Sequence, residues 1–257
     1  MTLHFPEKSE VRLGRPPLNE VICQVKFSPI LRISKETPSE FQDAIRGRFP
    51  GLEIEQGVLV QIPGLAGTEK PLVDASPRIY RFQTAEKATN ISLAADFFAL
   101  STKRYTRWRV FIRDLEIAYE AVQQTYNPIF STRVGLRFIN RFTRKNTGLT
   151  KFDQVLDLFR SELTCLLRTD DWSDPHDMLS QLVLTDGKAK FALRTGFGKE
   201  NGEPFFIIDL DYYEEGQIPL DTLMKRVNRY HDRIYAAFRW CLLDDSLQRF
   251  EPLNEGA

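Results

Sequence analysis

The sequence predicts an α+β fold in which antiparallel sheets pack on long helices. Several segments alternate apolar and polar residues with the period of a half-buried strand. Two longer segments instead place apolar residues at the three-and-four spacing of an amphipathic helix. The order strand, helix, three strands, helix occurs once in each half of the chain. At 257 residues the chain can bury such a core without disulfides or metal ions.

The first predicted unit covers residues 18–128 and follows an arm, residues 1–17, that is expected to be flexible. Its opening strand, ICQVKF, places Cys23, Val25 and Phe27 on one face. A short helix at 40–49 follows Ser39 as N-cap. The unit continues with strands at 58–62, 78–84 and 90–101, a long loop at 63–77, and a helix that starts near Trp108 and ends before Asn127.

The second predicted unit covers residues 129–243, and residues 244–257 are expected to form a tail. Its opening strand, RVGLRFINRFTRK, alternates apolar side chains with arginines on the other face. A short helix at 152–163 is followed by strands at 178–185, 189–195 and 204–213. Turns are predicted at Asp186–Gly187 and Asn201–Gly202, and a final helix begins near Pro219.

The two units share a sequence register. Residues 25–27 align with residues 136–138 at an offset of 111, and Phe41 aligns with Phe152 at the same offset. This agreement predicts an internal duplication of a β-α-β-β-β-α unit. Each unit resembles the half-repeat of the TATA-binding-protein-like and helix-grip folds, in which a curved antiparallel sheet wraps a long helix. That likeness of architecture carries no function by itself.

Composition favours a cytoplasmic protein with local rather than global charge. Lysine plus arginine and aspartate plus glutamate number 35 each, so nucleic acid or an anionic membrane would have to be bound by a local patch. The cysteines Cys23, Cys165 and Cys241 lie far apart in apolar surroundings, which is typical of reduced core residues. No apolar stretch reaches the ~18 residues of a membrane span, and the N-terminus does not have the pattern of a secretion signal.

The candidate binding residues lie on the sheet face opposite the core and in the basic run at the middle of the chain. Guanidinium groups there could bind carboxylate or phosphate groups of a ligand, with the aspartates orienting them. Alternatively, these charges form only cross-strand ion pairs on a solvated sheet. The candidates are Lys26, Arg81, Asp96, Arg133, Arg137, Asn140, Arg141, Arg194, Asp209 and Asp211.

Catalytic signatures are missing from the sequence. It contains no HExxH, CxxC, GxSxG or phosphate-loop motif, so we predict no catalytic residue, cofactor or metal ligand, although enzyme activity stays open. DDWSDPHD at 170–177 could hold a divalent cation through oxygen ligands, but it lacks the spacing of a calcium loop. An acidic, proline-containing connection is the alternative interpretation.

Three segments, PPLNEVICQVKFSPIL, LSTKRYTRWRVF and RVGLRFINR, resemble a sporadically distributed bacterial family whose members are functionally uncharacterised. The patchy distribution of that family implies mobile genes such as toxin–antitoxin or phage-defence loci. The resemblance brings no catalytic residues with it.

Three functional hypotheses follow. The first is a non-enzymatic protein that holds a protein or peptide partner, which could be encoded nearby, in an antitoxin-like or defence role. The second is a nucleic-acid-binding saddle in which Arg133, Arg137 and Arg141 contact phosphates. The third is a small acidic ligand held in a helix-grip pocket. A homodimer is compatible with each of them.

Overall fold

The computed structural model describes residues 3–6, 10–56, 78–169, 171 and 174–253. The strands are β1 (Arg12–Leu13), β2 (Leu18–Lys26), β3 (Gly51–Gln56), β4 (Arg78–Gln83), β5 (Thr89–Ala94), β6 (Phe97–Thr102), β7 (Phe130–Thr143), β8 (Met178–Asp186), β9 (Ala189–Glu200), β10 (Glu203–Pro219) and β11 (Pro252–Leu253). The helices are α1 (Leu31–Lys35), α2 (Ser39–Ile45), α3 (Trp108–Tyr126), α4 (Arg144–Thr147), α5 (Phe152–Leu156), α6 (Ser161–Thr164) and α7 (Leu223–Cys241).

Within the described residues, nine strands form one antiparallel sheet in the order β3-β4-β5-β6-β2-β7-β10-β9-β8. The two longest helices, α3 and α7, pack on one face of this sheet. The predicted α+β class and antiparallel arrangement are therefore confirmed. β2 and β7 pair in the interior of the sheet, so strands from both halves of the chain meet there.

The alternation in β7 explains how the sheet separates its two faces. Val134 and Leu136 are fully buried beneath the helices, whereas Arg133 and Arg137 emerge on the opposite face. The helices complete the core with one apolar stripe each. The stripes include Phe111, Leu115 and Val122 from α3 and Val227, Tyr230 and Ile234 from α7.

Two predicted elements are wrong in detail. Residues 90–101 form a hairpin rather than one strand, because the chain turns at Ala95–Asp96 and pairs Ala94 with Phe97. The predicted helix at 152–163 is split into α5 and α6. The backbone leaves the helix at Phe159, which bridges to Leu242, and the Arg160 N–H donates to the Cys241 carbonyl. Tertiary pairing thus overrides local helical propensity there.

The turn predictions in the second half are confirmed to within one residue. Asn201 and Gly202 connect β9 to β10, and both have positive φ, as a tight hairpin requires. The hairpin between β8 and β9 is closed by Gly187 and Lys188, one residue later than predicted. The predicted strand at 58–62 and loop at 63–77 lie outside the described residues.

The described parts of the N-terminal and C-terminal segments contact the body of the protein. Phe5 packs against Phe191 and Trp240, and the Val11 N–H donates to the Tyr235 hydroxyl at 2.9 Å. β1 pairs with β11. The proposed boundaries of the arm, the two units and the tail remain predictions.

The cysteine prediction holds for two of three residues. Cys23 and Cys241 are buried, but Cys165 is exposed at the end of α6, so its interpretation as a core residue is wrong. Among the described helices, none is both long and apolar enough to span a bilayer.

Candidate binding face

The face of the sheet opposite α3 and α7 carries a connected group of charges at its centre. We call this group the polar face and define it by Lys26, Arg133, Arg137, Arg194, Asp209 and Asp211. These residues lie on four neighbouring strands, β2, β7, β10 and β9. Their positions in the pairing registers place them close together on one side of the sheet.

Asp209 anchors two of the arginines. Arg137 donates from Nε and Nη2 to the two carboxylate oxygens of Asp209, both at 2.7 Å, which is the bidentate geometry of a strong guanidinium–carboxylate pair. Arg194 approaches the same carboxylate with Nη1 at 3.3 Å. Its Nε donates to Gln181 on the edge strand at 2.6 Å.

Asp211 holds the third arginine. Arg133 donates through Nη2 to the carboxylate of Asp211 at 3.1 and 3.4 Å, and through Nη1 to Gln24 at 3.3 Å. Arg194 lies 4.0 Å from the same carboxylate. Two hydrogen-bonded groups, joined by this 4.0 Å ion pair, therefore extend from β8 to β2 and include residues from both halves of the chain.

The two aspartates are nearly buried although no described helix covers this face. Burial raises the pKa of Asp211 above its ordinary value, against the opposing effect of Arg133, Arg194 and Arg137. The hydrogen bonds to Asp209 raise the pKa of Arg137. The guanidinium groups are thus held in fixed positions by acceptors that are largely removed from water.

Gly135 creates the space that Arg133 occupies. A Cβ atom at Gly135 would lie 2.5 Å from the Nη1 atom of Arg133, so the guanidinium group folds directly over the glycine. The same guanidinium stacks on Tyr213, with 4.6 Å from its carbon to the ring centroid. Close backbone approach and an aromatic surface together fix this arginine.

Lys26 differs from the arginines because it has no salt bridge within the described part of the chain. It pairs with Arg133 across β2 and β7, so two cations are direct neighbours in the sheet. The polar face thus contains four cationic side chains and two carboxylates. These six residues sum to a positive charge in a protein whose overall formal charge is zero, while Glu215, the register partner of Arg133, adds a carboxylate on the same side of the sheet.

Four of the ten sequence candidates lie outside this network. Arg81 pairs with Glu55 near the far edge of the sheet, at 2.8 Å, and Asp96 lies in the β5–β6 turn. Asn140 faces the core, where its Nδ2 donates to the Ile208 carbonyl at 3.3 Å. Strand alternation places Asn140 on the opposite side of the sheet from Arg137 and Arg141, so its prediction as a binding residue beside them is wrong. Arg141 is on the same face as Arg137 but stacks on Phe205 and pairs with Glu200.

Several supporting residues were missed by sequence reasoning. Gln24, Gln181 and Tyr213 contact the arginines, and Gly135 makes room for one of them. The only available signal was a glycine inside an otherwise regular strand, which often marks close approach by another group. No signal in the sequence pointed to Gln24 and Gln181, because their contacts with the arginines depend on which strands are neighbours in the sheet.

Two depressions lie away from the polar face. One, of about 160 Å³, is found where α3 begins and includes Arg48, which donates to Asp114 through two 3.0 Å hydrogen bonds. The other, a shallow groove of about 690 Å³, is lined by Arg141, Arg144 and Glu203. No group of three or more potential metal ligands occurs among the residues that the structure describes.

Comparison with known proteins returned no match to any protein-family model and none to any curated protein.

Proposed function

We propose that this protein is a non-enzymatic binding protein that holds a protein or peptide partner on the polar face. The observation that carries the proposal is the fixed excess of positive charge at the centre of the sheet. Three arginines are held by two nearly buried aspartates, and Lys26 lies beside them with no described ion-pair partner. An acidic segment of a partner complements such a surface.

The energetics of buried charge support a binding role. Removing charges from water is costly, and buried ion pairs often stabilise a protein less than apolar residues of similar volume would. Asp209 and Asp211 are 5% and 8% exposed, so this cost applies to both. In return the network fixes guanidinium groups in advance, which reduces the entropy lost when a carboxylate binds.

The arginine contacts do not by themselves separate this proposal from the nucleic-acid alternative. Arg133 and Arg137 already donate to aspartates, and Arg141 pairs with Glu200. Each would have to leave or share a carboxylate to contact a phosphate, and the same holds for a carboxylate of a protein partner. A nucleic-acid complex would also weaken steeply as salt concentration rises, in proportion to the phosphates neutralised. That dependence separates the two hypotheses experimentally.

The internal duplication forms part of the same proposal. Outward from the central pair, the order β10-β9-β8 beside β7 corresponds to β6-β5-β4 beside β2, and the first half continues with one further strand, β3. The sequence offset of 111 equates Gln24 with Gly135, and these residues are direct partners in the β2–β7 ladder. In the same ladder Cys23 pairs with Leu136, and Val25 pairs with Val134. The offset equates Cys23 with Val134 and Val25 with Leu136, so the ladder has the symmetry of a two-fold axis between Gln24 and Gly135. This supports a TATA-binding-protein-like arrangement over a helix-grip one.

The duplication makes Lys26 and Arg137 equivalent positions that this two-fold axis relates. We therefore attribute the binding surface to the whole centre of the sheet rather than to one half. In the toxin-neutralising or defence role suggested by the family resemblance, the protein would act by covering a site on its partner.

Affinity purification from the native host tests the proposal. The tagged protein is expected to capture a specific protein, and Lys26→Glu should reduce its recovery at least about tenfold by placing a negative charge on the polar face. Lys225→Glu is the matched control, because it makes the same charge change at an exposed position of α7. Equal recovery by wild type and both variants, or recovery of nucleic acid alone, would overturn the proposal.

A further inference from the structure

The edge strand β8 has an unusual composition for a sheet edge. Within the described residues it pairs only with β9, which leaves the backbone groups of its other side available. Residues 178–185 include no charged side chain, although native proteins commonly protect such edges with charges, prolines or bulges. Leu179, Leu182 and Val183 are 73%, 51% and 46% exposed.

The opposite edge of the described sheet does not share this composition. β3 also exposes two apolar residues, Leu52 and Ile54, but alternates them with Glu53 and Glu55. These carboxylates would repel one another if two such edges met. β8 is therefore the edge with the composition of a strand-pairing surface.

The geometry points to β8 as the interface with a second copy of this chain, through antiparallel β8–β8 pairing about a two-fold axis at Gln181. In this register Leu179 lies opposite Val183 of the second copy on the polar side of the sheet. On the helix side, Leu182 lies opposite Ser180 and Met178 opposite Leu184. Each exposed apolar residue thus meets an uncharged neighbour.

Charge complementarity selects the same occupant. The segment preceding β8 is acidic, with Asp174 and Asp177 exposed, while Lys188 is exposed in the turn after it. Antiparallel self-pairing brings the acidic end of one strand near the turn of the other that carries Lys188, although Asp174 and Lys188 lie outside β8 and so outside its ladder. Asp174 has a competing partner in its own chain, Lys199, so this contact contributes less than the apolar pairs.

Strand pairing alone buries little surface compared with most stable protein interfaces, so the dimer should be weak and reversible. Analytical ultracentrifugation of the full chain over about 1–100 µM should show concentration-dependent dimerisation. Leu179→Lys and Val183→Glu should each raise the dimer dissociation constant about tenfold or more, because every dimer contains this pair twice. The double variant should regain dimerisation, since its lysine and glutamate face each other.

A cysteine on the proposed axis provides an independent test. In a Cys165→Ser background, Gln181→Cys should form an intermolecular disulfide under mild oxidation, because the two positions are direct neighbours. Thr185→Cys, whose copies lie far apart in this register, is the control and should not cross-link. Both measurements are made without a partner protein, so their failure would be distinguishable from a failure of the proposed function.

Three results would overturn the inference. They are a wild type that stays monomeric throughout the concentration range, a dimer that both single variants retain, and equal cross-linking at positions 181 and 185. If the protein is monomeric, and the β8 variants no longer capture the protein that the wild type captures in the affinity purification, β8 instead pairs with a strand of that captured protein.

Discussion

Removing Asp209 tests whether the charge network is integral to the sheet. Asp209→Ala deletes an acceptor that is 95% buried, which removes both hydrogen bonds from Arg137 and the 3.3 Å contact of Arg194. Breaking a buried ion pair costs ~3–5 kcal/mol. The side chains of Arg137 and Arg194 are 38% and 25% exposed, so water can partly replace the lost contacts. We therefore expect a loss of ~2–3 kcal/mol in the free energy of unfolding.

Two comparisons make this measurement specific. Glu55→Ala breaks the exposed pair with Arg81 and should cost only ~0–1 kcal/mol. Replacing Arg137 by Met together with Asp209 by Leu should recover part of the loss, because Arg137 is then no longer an unpaired charge, while Arg194 keeps Gln181 and the 4.0 Å contact with Asp211. Urea unfolding followed by tryptophan fluorescence gives these free energies from the midpoint and slope. A cost for Asp209→Ala no greater than for Glu55→Ala would refute the reasoning.

Two further predictions concern individual contacts. Gly135→Ala should displace the Arg133 guanidinium group from Asp211, because the new Cβ would lie 2.5 Å from Nη1. The displaced atoms end a flexible side chain, so the expected loss in unfolding free energy is that of the partly exposed ion pair, ~1 kcal/mol. A cost that is the same in an Arg133→Ala background would contradict the close approach. Burial raises the pKa of Asp186, but hydrogen bonds from Tyr212 and Arg233 lower it more, so the net shift is downward. The stability contributed by Asp186 is therefore fully present above the ordinary aspartate pKa and lost as pH falls through the lower folded-state pKa, so the difference in unfolding free energy between wild type and Asp186→Asn should shrink as the solution is acidified through that range. If the difference in unfolding free energy between wild type and Asp186→Asn grows as the pH falls, the pKa of Asp186 is not lowered by folding.

Alternation and turn chemistry predicted much of the sheet. The β7 pattern identified which face is buried, and Asn201–Gly202 located a hairpin. The break at Phe159 was not predictable, because its cause is a bridge to Leu242, far away in sequence. The turn at Ala95–Asp96 was also missed, since the apolar residues around it continue as if in one strand.

The candidate face could be predicted only as a list of side chains on one side of a sheet. Which charges meet depends on strand order, and the neighbours β7 and β10 are separated by α4, α5, α6, β8 and β9 along the chain. Arg137 and Asp209 were both candidates, but their bidentate pairing required the register between these strands. Asn140 was misplaced because the basic run was considered without regard to strand alternation.

The most direct test of the binding proposal is site-specific photo-cross-linking in the native host. A photo-reactive phenylalanine replaces Ser101, which lies beside Ile22 on the same side of the sheet as Lys26, or Lys225 on α7 as control. The proposal predicts a covalent adduct with one specific protein from position 101 and none from position 225. Adducts from position 225 alone, or none from position 101 when a partner co-purifies, would contradict it.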